Sequence, residues 1–218
     1  MDVIHISTAG RKEREKERRR SEIIDAAEQL FSDKGFDGVS MDDVAKATDL
    51  ARGTLYLYFI NKESLYYAVV ARGAVVLNEM FRDGIGKGRT GAEKLLSTGM
   101  AFYEFSQKYP EYYEMFVTAQ SPCFTLQDDN SDLIASAGQE NFQIVCECIV
   151  EGIADGSLRH DIDPVKTACF LMLSTQIIVH QTPSLGAALA IKGDSHREFV
   201  KYSLDLMMKS ITTETRRN

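Results

Sequence analysis

The chain has 218 residues, enough for one large domain or two small ones with a real hydrophobic core. With 44% hydrophobic and 26% charged residues it has an ordinary soluble, globular composition. The net charge of −7 means the chain as a whole repels nucleic acid, so any contact with it must come from a local basic patch. Cys123, Cys146, Cys148 and Cys169 are few for this length and lie in apolar surroundings, which reads as reduced thiols in a cytoplasmic protein. The longest apolar run, Ala168 to Val179, is too short and too interrupted to span a bilayer, and Met1 to Gly10 has the wrong order of apolar and charged residues for an export signal.

Taken in chain order, residues 1–14 are expected to be a disordered basic arm. The run Arg11–Arg20 carries Arg11, Lys12, Arg14, Lys16, Arg18, Arg19 and Arg20 against three glutamates. It reads either as a solvated charged face or as an arm lying on phosphates. The first clear helix runs from about Ser21 to Lys34, with Ile23, Ala27, Leu30 and Phe31 at helical spacing and Gly35 as its stop. The next starts at Ser40, a good N-cap with Asp43 at the capping-box position and Val39 and Val44 as a hydrophobic staple, and ends near Ala47. Thr48–Ala51 is a turn, and Arg52–Phe59 a second short helix. Leu55 and Phe59 can face the preceding helix, leaving Arg52, Gly53, Tyr56 and Leu57 outward. Asn61 caps a long fourth helix that ends near Asp83, with Ile60 and Leu65 as a second staple.

Gly84–Gly91 reads as a flexible hinge and a boundary. Its Gly86-Lys87-Gly88-Arg89-Thr90-Gly91 matches a dinucleotide fingerprint as a string, but that fingerprint needs a preceding strand and a helix precedes it here. Five further helical patterns follow. They are Ala92–Lys108, one starting at Pro110, Ser131–Ala154, Asp163–Gln181 (stopped by Pro183) and Asp194–Ile211, with a polar loop over Ser121–Asn130. No convincing strand is found. The fold class is all-α with about nine helices: a helix-turn-helix DNA-binding domain over 15–62 and a second helical domain over 63–218.

Two short helices joined by a tight turn and braced by a third are a helix-turn-helix, whose second helix enters the major groove. Arg52 suits a guanine edge, Gly53 allows close approach, and Thr54, Tyr56, Tyr58 and Lys62 suit phosphates. Gly53-Thr54-Leu55-Tyr56-Leu57-Tyr58-Phe59-Ile60-Asn61-Lys62-Glu63-Ser64-Leu65 resembles the signature of the TetR family of transcriptional regulators. Ala26–Phe31 and Lys34-Gly35-Phe36 resemble that family's first helix, so the match covers about residues 15 to 67. The resemblance implies a homodimeric repressor on a palindromic operator, released by a small, mainly apolar ligand. It places DNA contacts at Ser40, Met41, Arg52, Gly53, Thr54, Tyr56, Tyr58 and Lys62, and gives 63–218 a ligand-binding and dimerisation role. Two positions depart from the family pattern. Asp49 stands where the family's turn usually has glycine, and Ala51 where it often has serine.

Phe102, Tyr103, Tyr112, Tyr113, Phe116, Phe142, Met172, Gln176 and His180 mix apolar and polar groups as a ligand pocket does, and equally as an ordinary core does. Cys146 and Cys148 point to nearly opposite helix faces and do not form a metal site. No catalytic motif is present, so no enzyme activity and no cofactor are expected. The pairing Pro164–Gln181 with Asp194–Ile211 is the expected dimer contact. Two other classes remain open at this stage: an all-helical carrier or enzyme, and an effector-free DNA-binding protein.

Overall fold

The computed structural model describes residues 8–119 and 131–213. Ten helices are found among them: α1 (Thr8–Lys34), α2 (Met41–Ala47), α3 (Arg52–Leu55), α4 (Lys62–Ile85), α5 (Gly91–Lys108), α6 (Pro110–Ala119), α7 (Ser131–Ala154), α8 (Pro164–Val179), α9 (Pro183–Lys192) and α10 (His196–Ile211). The only extended pairing among the described residues is one antiparallel bridge, Leu158 with Thr212. The polar loop expected over Ser121–Asn130, and Cys123 within it, lie outside the described residues.

The chain divides into two compact units, and α4 contributes to both. The first unit takes the chain through Arg72, together with 115–134. The second takes Gly73–Glu114 and the chain from Ala135 onward. The division thus falls inside α4, not at the Gly84–Gly91 segment expected as a hinge. The end of that segment is pinned in place. The Gly91 amide donates to Asp155 at 2.7 Å, the Ala92 amide to Ser157 Oγ at 3.1 Å, and Lys94 pairs with Glu151. A Cβ on Gly91 would stand 2.0 Å from the Gly152 nitrogen, so α5 and α7 meet backbone to backbone there.

In the first unit Ile23 and Ala27 of α1, Val44 of α2, Leu55 of α3, Phe59, and Leu65 and Val69 of α4 are wholly buried. Each large member contributes about 1.5–3 kcal/mol by leaving water, which holds elements as short as α2 and α3 that have no independent stability. Arg72 closes the unit from outside by pairing with Asp25 (2.5 Å) and Glu28 (3.0 Å). In the second unit Ile149, Leu158, Ala168 and Val200 are wholly buried.

The helix ends follow local chemistry. Gly35, at φ 69°, ends α1 with its amide on the Phe31 carbonyl at 2.9 Å. The helix α9 was not expected. Its signals are nonetheless ordinary: Thr182 caps it, Pro183 occupies its first turn, and Gly193 at φ 82° ends it. The first helix begins at Thr8, so residues 8–14 are helical rather than the disordered arm expected.

Candidate nucleic-acid interface

Helix α2 starts as its sequence dictates. Ser40 accepts from the Asp43 amide at 3.2 Å, and Asp43 accepts from the Ser40 amide at 2.9 Å, which closes the capping box. The Ser40 hydroxyl first, and its amide second, hold the Asp43 carboxyl below the ordinary carboxylate value. The helix ends in a Schellman motif, with the Leu50 amide on the Ala45 carbonyl (2.9 Å) and the Asp49 amide on Lys46 (3.3 Å). That motif needs a left-handed residue, and Asp49 supplies it at φ 53°. A carboxylate-bearing residue tolerates this region better than most, so the departure from glycine leaves the turn intact.

Helix α3 is shorter than the Arg52–Phe59 expected. It is α-helical only through Leu55. Beyond that the Leu57 amide bonds Thr54 (3.1 Å) and the Tyr58 amide bonds Leu55 (3.0 Å), a tighter turn that delivers Phe59 to the core. Ala51 precedes α3 without a side-chain cap, the second departure from the family pattern. Asn61 Oδ1 accepts from the Ser64 amide at 2.6 Å and so caps α4. Ile60, expected to staple onto Leu65, is exposed instead.

Of the expected DNA-facing residues, Ser40, Arg52, Gly53 and Tyr56 are exposed, and Thr54 and Tyr58 are half-buried. A Cβ on Gly53 would meet nothing within 4 Å, so the backbone there is bare on its outer side. Arg52 Nη1 reaches Asp42 Oδ2 at 3.2 Å, and its guanidinium stands 5.7 Å from the centre of the Tyr56 ring. Met41 departs from expectation, since its side chain is buried in the core and does not face outward. Lys62 is half-buried. Its ammonium donates to the Phe36 carbonyl at 2.8 Å and lies 4.1 Å from the centre of that ring, tying the start of α4 to the end of α1. Leu57, read as outward from the sequence, is 80% exposed at the end of this face, whereas sequence reasoning missed the Asp42 partner of Arg52. The outward position of Leu57 was legible; the ion pair needed the crossing of α2 and α3.

In the second unit the expected ligand residues separate. Phe102 and Tyr113 are buried edge to face, with centroids 5.9 Å apart. Tyr103 instead packs on His196 of α10 (5.6 Å) and lines an open groove of about 1030 Å³ with Met80, Leu96, Met100 and Ala101. The charged lining of that groove is balanced, Lys87, Lys108 and Arg197 against Asp83, Glu93 and Glu104. Tyr112 packs on Gly73, where a Cβ would stand 2.9 Å from the ring. Phe142, Met172 and Gln176 are half-buried, His180 is exposed at the end of α8, and Phe116 falls in the first unit. Burial pushes the Cys148 thiol up to about 11 and raises that of Cys146 as well. Among the described residues no cluster of three metal-ligating side chains occurs, and no helix is long and apolar enough to cross a membrane.

A capped helix, a left-handed turn and a short second helix with a bare, hydroxyl- and arginine-bearing outer face make a DNA-binding helix-turn-helix. Residues 23–69 match the family model described as bacterial regulatory proteins, tetR family. The chain is 26% identical over 162 residues to the HTH-type transcriptional repressor KstR2 of Mycolicibacterium smegmatis, covering 74% of this chain and 78% of that one. It is 30% identical over 95 residues to IcaR of Staphylococcus aureus, the biofilm operon icaADBC HTH-type negative transcriptional regulator; this match covers 43% of the chain and about half (51%) of IcaR. Its fold is similar to that of the transcriptional regulator FadR from Bacillus subtilis in complex with stearoyl-CoA, with a TM-score of 0.66 at 19% identity over 88% of this chain and 98% of that one. Residues 23–69 thus match the DNA-binding part of the TetR family, and the chain is similar to transcriptional regulators of that family.

Proposed function

We propose that the chain works as a homodimeric repressor that holds two copies of α3 on a palindromic operator and is released by a small, mainly apolar effector. The observation that carries the DNA-binding part is the outer face of α3: bare backbone at Gly53, flanked by exposed Arg52, Tyr56 and Leu57. Arg52 suits a guanine edge in the major groove, while Ser40, Thr54, Tyr56 and Tyr58 suit phosphate oxygens. Lys62 keeps two of its three ammonium donors for a phosphate after the bond to Phe36.

Dimerisation through α8 and α10 is supported by their outer faces. Phe170, Leu173 and Ile177 of α8 are each more than half exposed, as is Tyr202 of α10, and Leu206 is 49% exposed. The segment Thr167–Val179 contains no charged residue. Apolar stripes of this kind mark a covered surface, and a second copy gives the two-fold symmetry a palindrome demands.

Effector binding in the second unit is supported by three buried polar atoms that find no hydrogen-bond partner among the described residues: Asn78 Oδ1, Tyr113 Oη and Asn141 Oδ1. Such groups are costly unless something answers them. Burial first, and Glu114 second, push the Tyr113 hydroxyl up to about 12, so it stays a donor at any physiological pH. A mainly apolar molecule with one or two polar groups fits this chemistry. The relatives named above are regulators, which favours this reading over a carrier or an enzyme, and FadR was solved with an acyl-CoA.

The test is a selection of duplexes from a random library with the full chain, followed by affinity measurements on the winning sequence. Two-fold inverted repeats, bound by two copies and lost on raising salt, are the expected result. Recovery of no preferred sequence sinks the operator reading. Tyr113→Phe and Asn141→Leu are expected to leave operator affinity intact while blunting release by a cell extract that releases the parent protein.

A further inference from the structure

The first three turns of α1 are unlike the rest of that helix. Residues Arg11 to Arg18 are all exposed and Arg19 and Arg20 half-buried, so this stretch gains almost nothing from burial. It contains no apolar residue. Its basic residues form two rows at helical spacing, Arg11-Arg14-Arg18 and Lys12-Lys16-Arg19-Arg20; Glu13 and Glu17 share a separate row, and Glu15 alone falls between the two basic rows. Arg18 and Arg19 both turn to Glu22, at 3.6 and 2.8 Å. Among the described residues Arg11, Lys12, Arg14 and Lys16 make no ion pair.

Two physical terms oppose a helix here. A polar, unburied segment of about ten residues is marginal in water. Its first turn has no acidic residue, and the cations that follow it face the positive end of the helix dipole. A row of anions alongside relieves the second term and compensates for the first. The stretch also joins the right body. Arg20 lies 5.1 Å from the centre of the Phe59 ring, the buried residue that closes the turn after α3, and both belong to the first unit. The arm therefore leaves the helix-turn-helix from beside the C-terminal end of the recognition helix. Its ten residues span about 15 Å, the axial rise of roughly four base pairs. Its local charge is +4 in a chain whose net charge is −7.

We propose that residues 11–20 are a helical arm that lies along the phosphodiester backbone of duplex DNA flanking the operator half-site. This rests on the reading of α3 as the operator-binding helix. The arm adds affinity without reading sequence, because its partners are phosphates. It also lets an acidic protein approach DNA with its one concentrated cationic segment leading.

The experiment uses the full chain and the variant Arg11→Gln/Lys12→Gln/Arg14→Gln/Lys16→Gln. The probes are the library-selected operator trimmed to its ends and the same operator with one helical turn of flanking duplex on each side. The parent is expected to bind the flanked duplex at least tenfold more tightly than the trimmed one. The variant should bind both alike, with a salt slope on the flanked duplex lower by about 2–4 per protomer at ~0.9 per lost contact. Arg11→Lys/Arg14→Lys should restore the parent's behaviour. Equal binding of trimmed and flanked duplex by the parent overturns the proposal, as does an unchanged slope in the variant or a loss seen only on vesicles of anionic lipid. If neither protein binds any duplex, the operator reading fails and the arm with it. If the parent binds the operator and Arg52→Ala abolishes its preference while the flanks do nothing, only the arm fails.

Discussion

Arg52 of α3 and Asp42 of α2 form an ion pair, with Nη1 3.2 Å from Oδ2, across the two helices of the DNA-binding motif. Both side chains are more than half exposed, so water screens the pair and it adds little to stability. Its effect is on aim: it fixes the guanidinium of the residue proposed to read a base, and it sets a carboxylate beside a face meant for phosphates. Arg52→Ala is expected to lower the preference for the selected operator over a base-substituted one by tenfold or more. Asp42→Ala should raise affinity for unrelated duplex and lower that same preference. Anisotropy titrations on matched and substituted duplexes check both. Parallel losses on every duplex would place Arg52 on a phosphate.

The turn between these helices offers a test of stability without a change of interface. Asp49 sits at φ 53°. Asp49→Gly should stabilise the protein by about 0.5–1 kcal/mol, because glycine enters this region without steric cost. Ala51→Ser should add the missing cap of α3 for about 1 kcal/mol. Thermal denaturation reads both, and a fall in Tm from either would show that the turn is held differently.

Two glycines separate function from packing. Gly53→Ala has room within the protein and favours a helix, so Tm should hold or rise. Operator affinity should fall tenfold or more because the new methyl stands where the duplex approaches. Gly73→Ala drives a methyl onto the Tyr112 ring, 2.9 Å away, and should destabilise by about 1–3 kcal/mol. If Gly53→Ala binds the operator as the parent does, α3 does not approach DNA through that face.

Acid should loosen the helix ends. The Ser40 hydroxyl and amide lower the Asp43 carboxyl, the Ser157 hydroxyl and the Gly91 amide lower Asp155, and the Ser195 amide and hydroxyl lower Glu198. A carboxyl lowered in the folded state stabilises fully above its unfolded value and loses that contribution as pH falls through its folded value. Urea midpoints should therefore be flat near neutrality and drop below about pH 4. Asp155→Asn should start lower at pH 7 and drop less. A midpoint that rises on acidification contradicts these assignments.

Much of the first unit was legible because its signals are local. Ser40 with Asp43, Gly35 after Lys34 and Asn61 before Ser64 each act within four residues, and each cap is present. The TetR resemblance rested on the same stretch, and the all-helical class on helical spacing along the whole chain. What escaped reading depends on distant partners. Met41 has the residue type and position of a surface contact, yet it is buried. The Gly84–Gly91 segment has a flexible composition, yet Asp155 and Ser157, more than sixty residues on, hold its end. The nine residues expected to line one pocket were grouped by their mix of apolar and polar side chains, but composition does not say which neighbour each helix face meets. Tyr103 faces His196 while Phe102, one residue earlier, faces Tyr113.

The most direct test of the central claim is the affinity of the full chain for its library-selected duplex as a function of salt. The account predicts an inverted repeat bound by two copies, with log K falling steeply and linearly against log salt. An asymmetric site bound by one copy, or a flat response to salt, would contradict it.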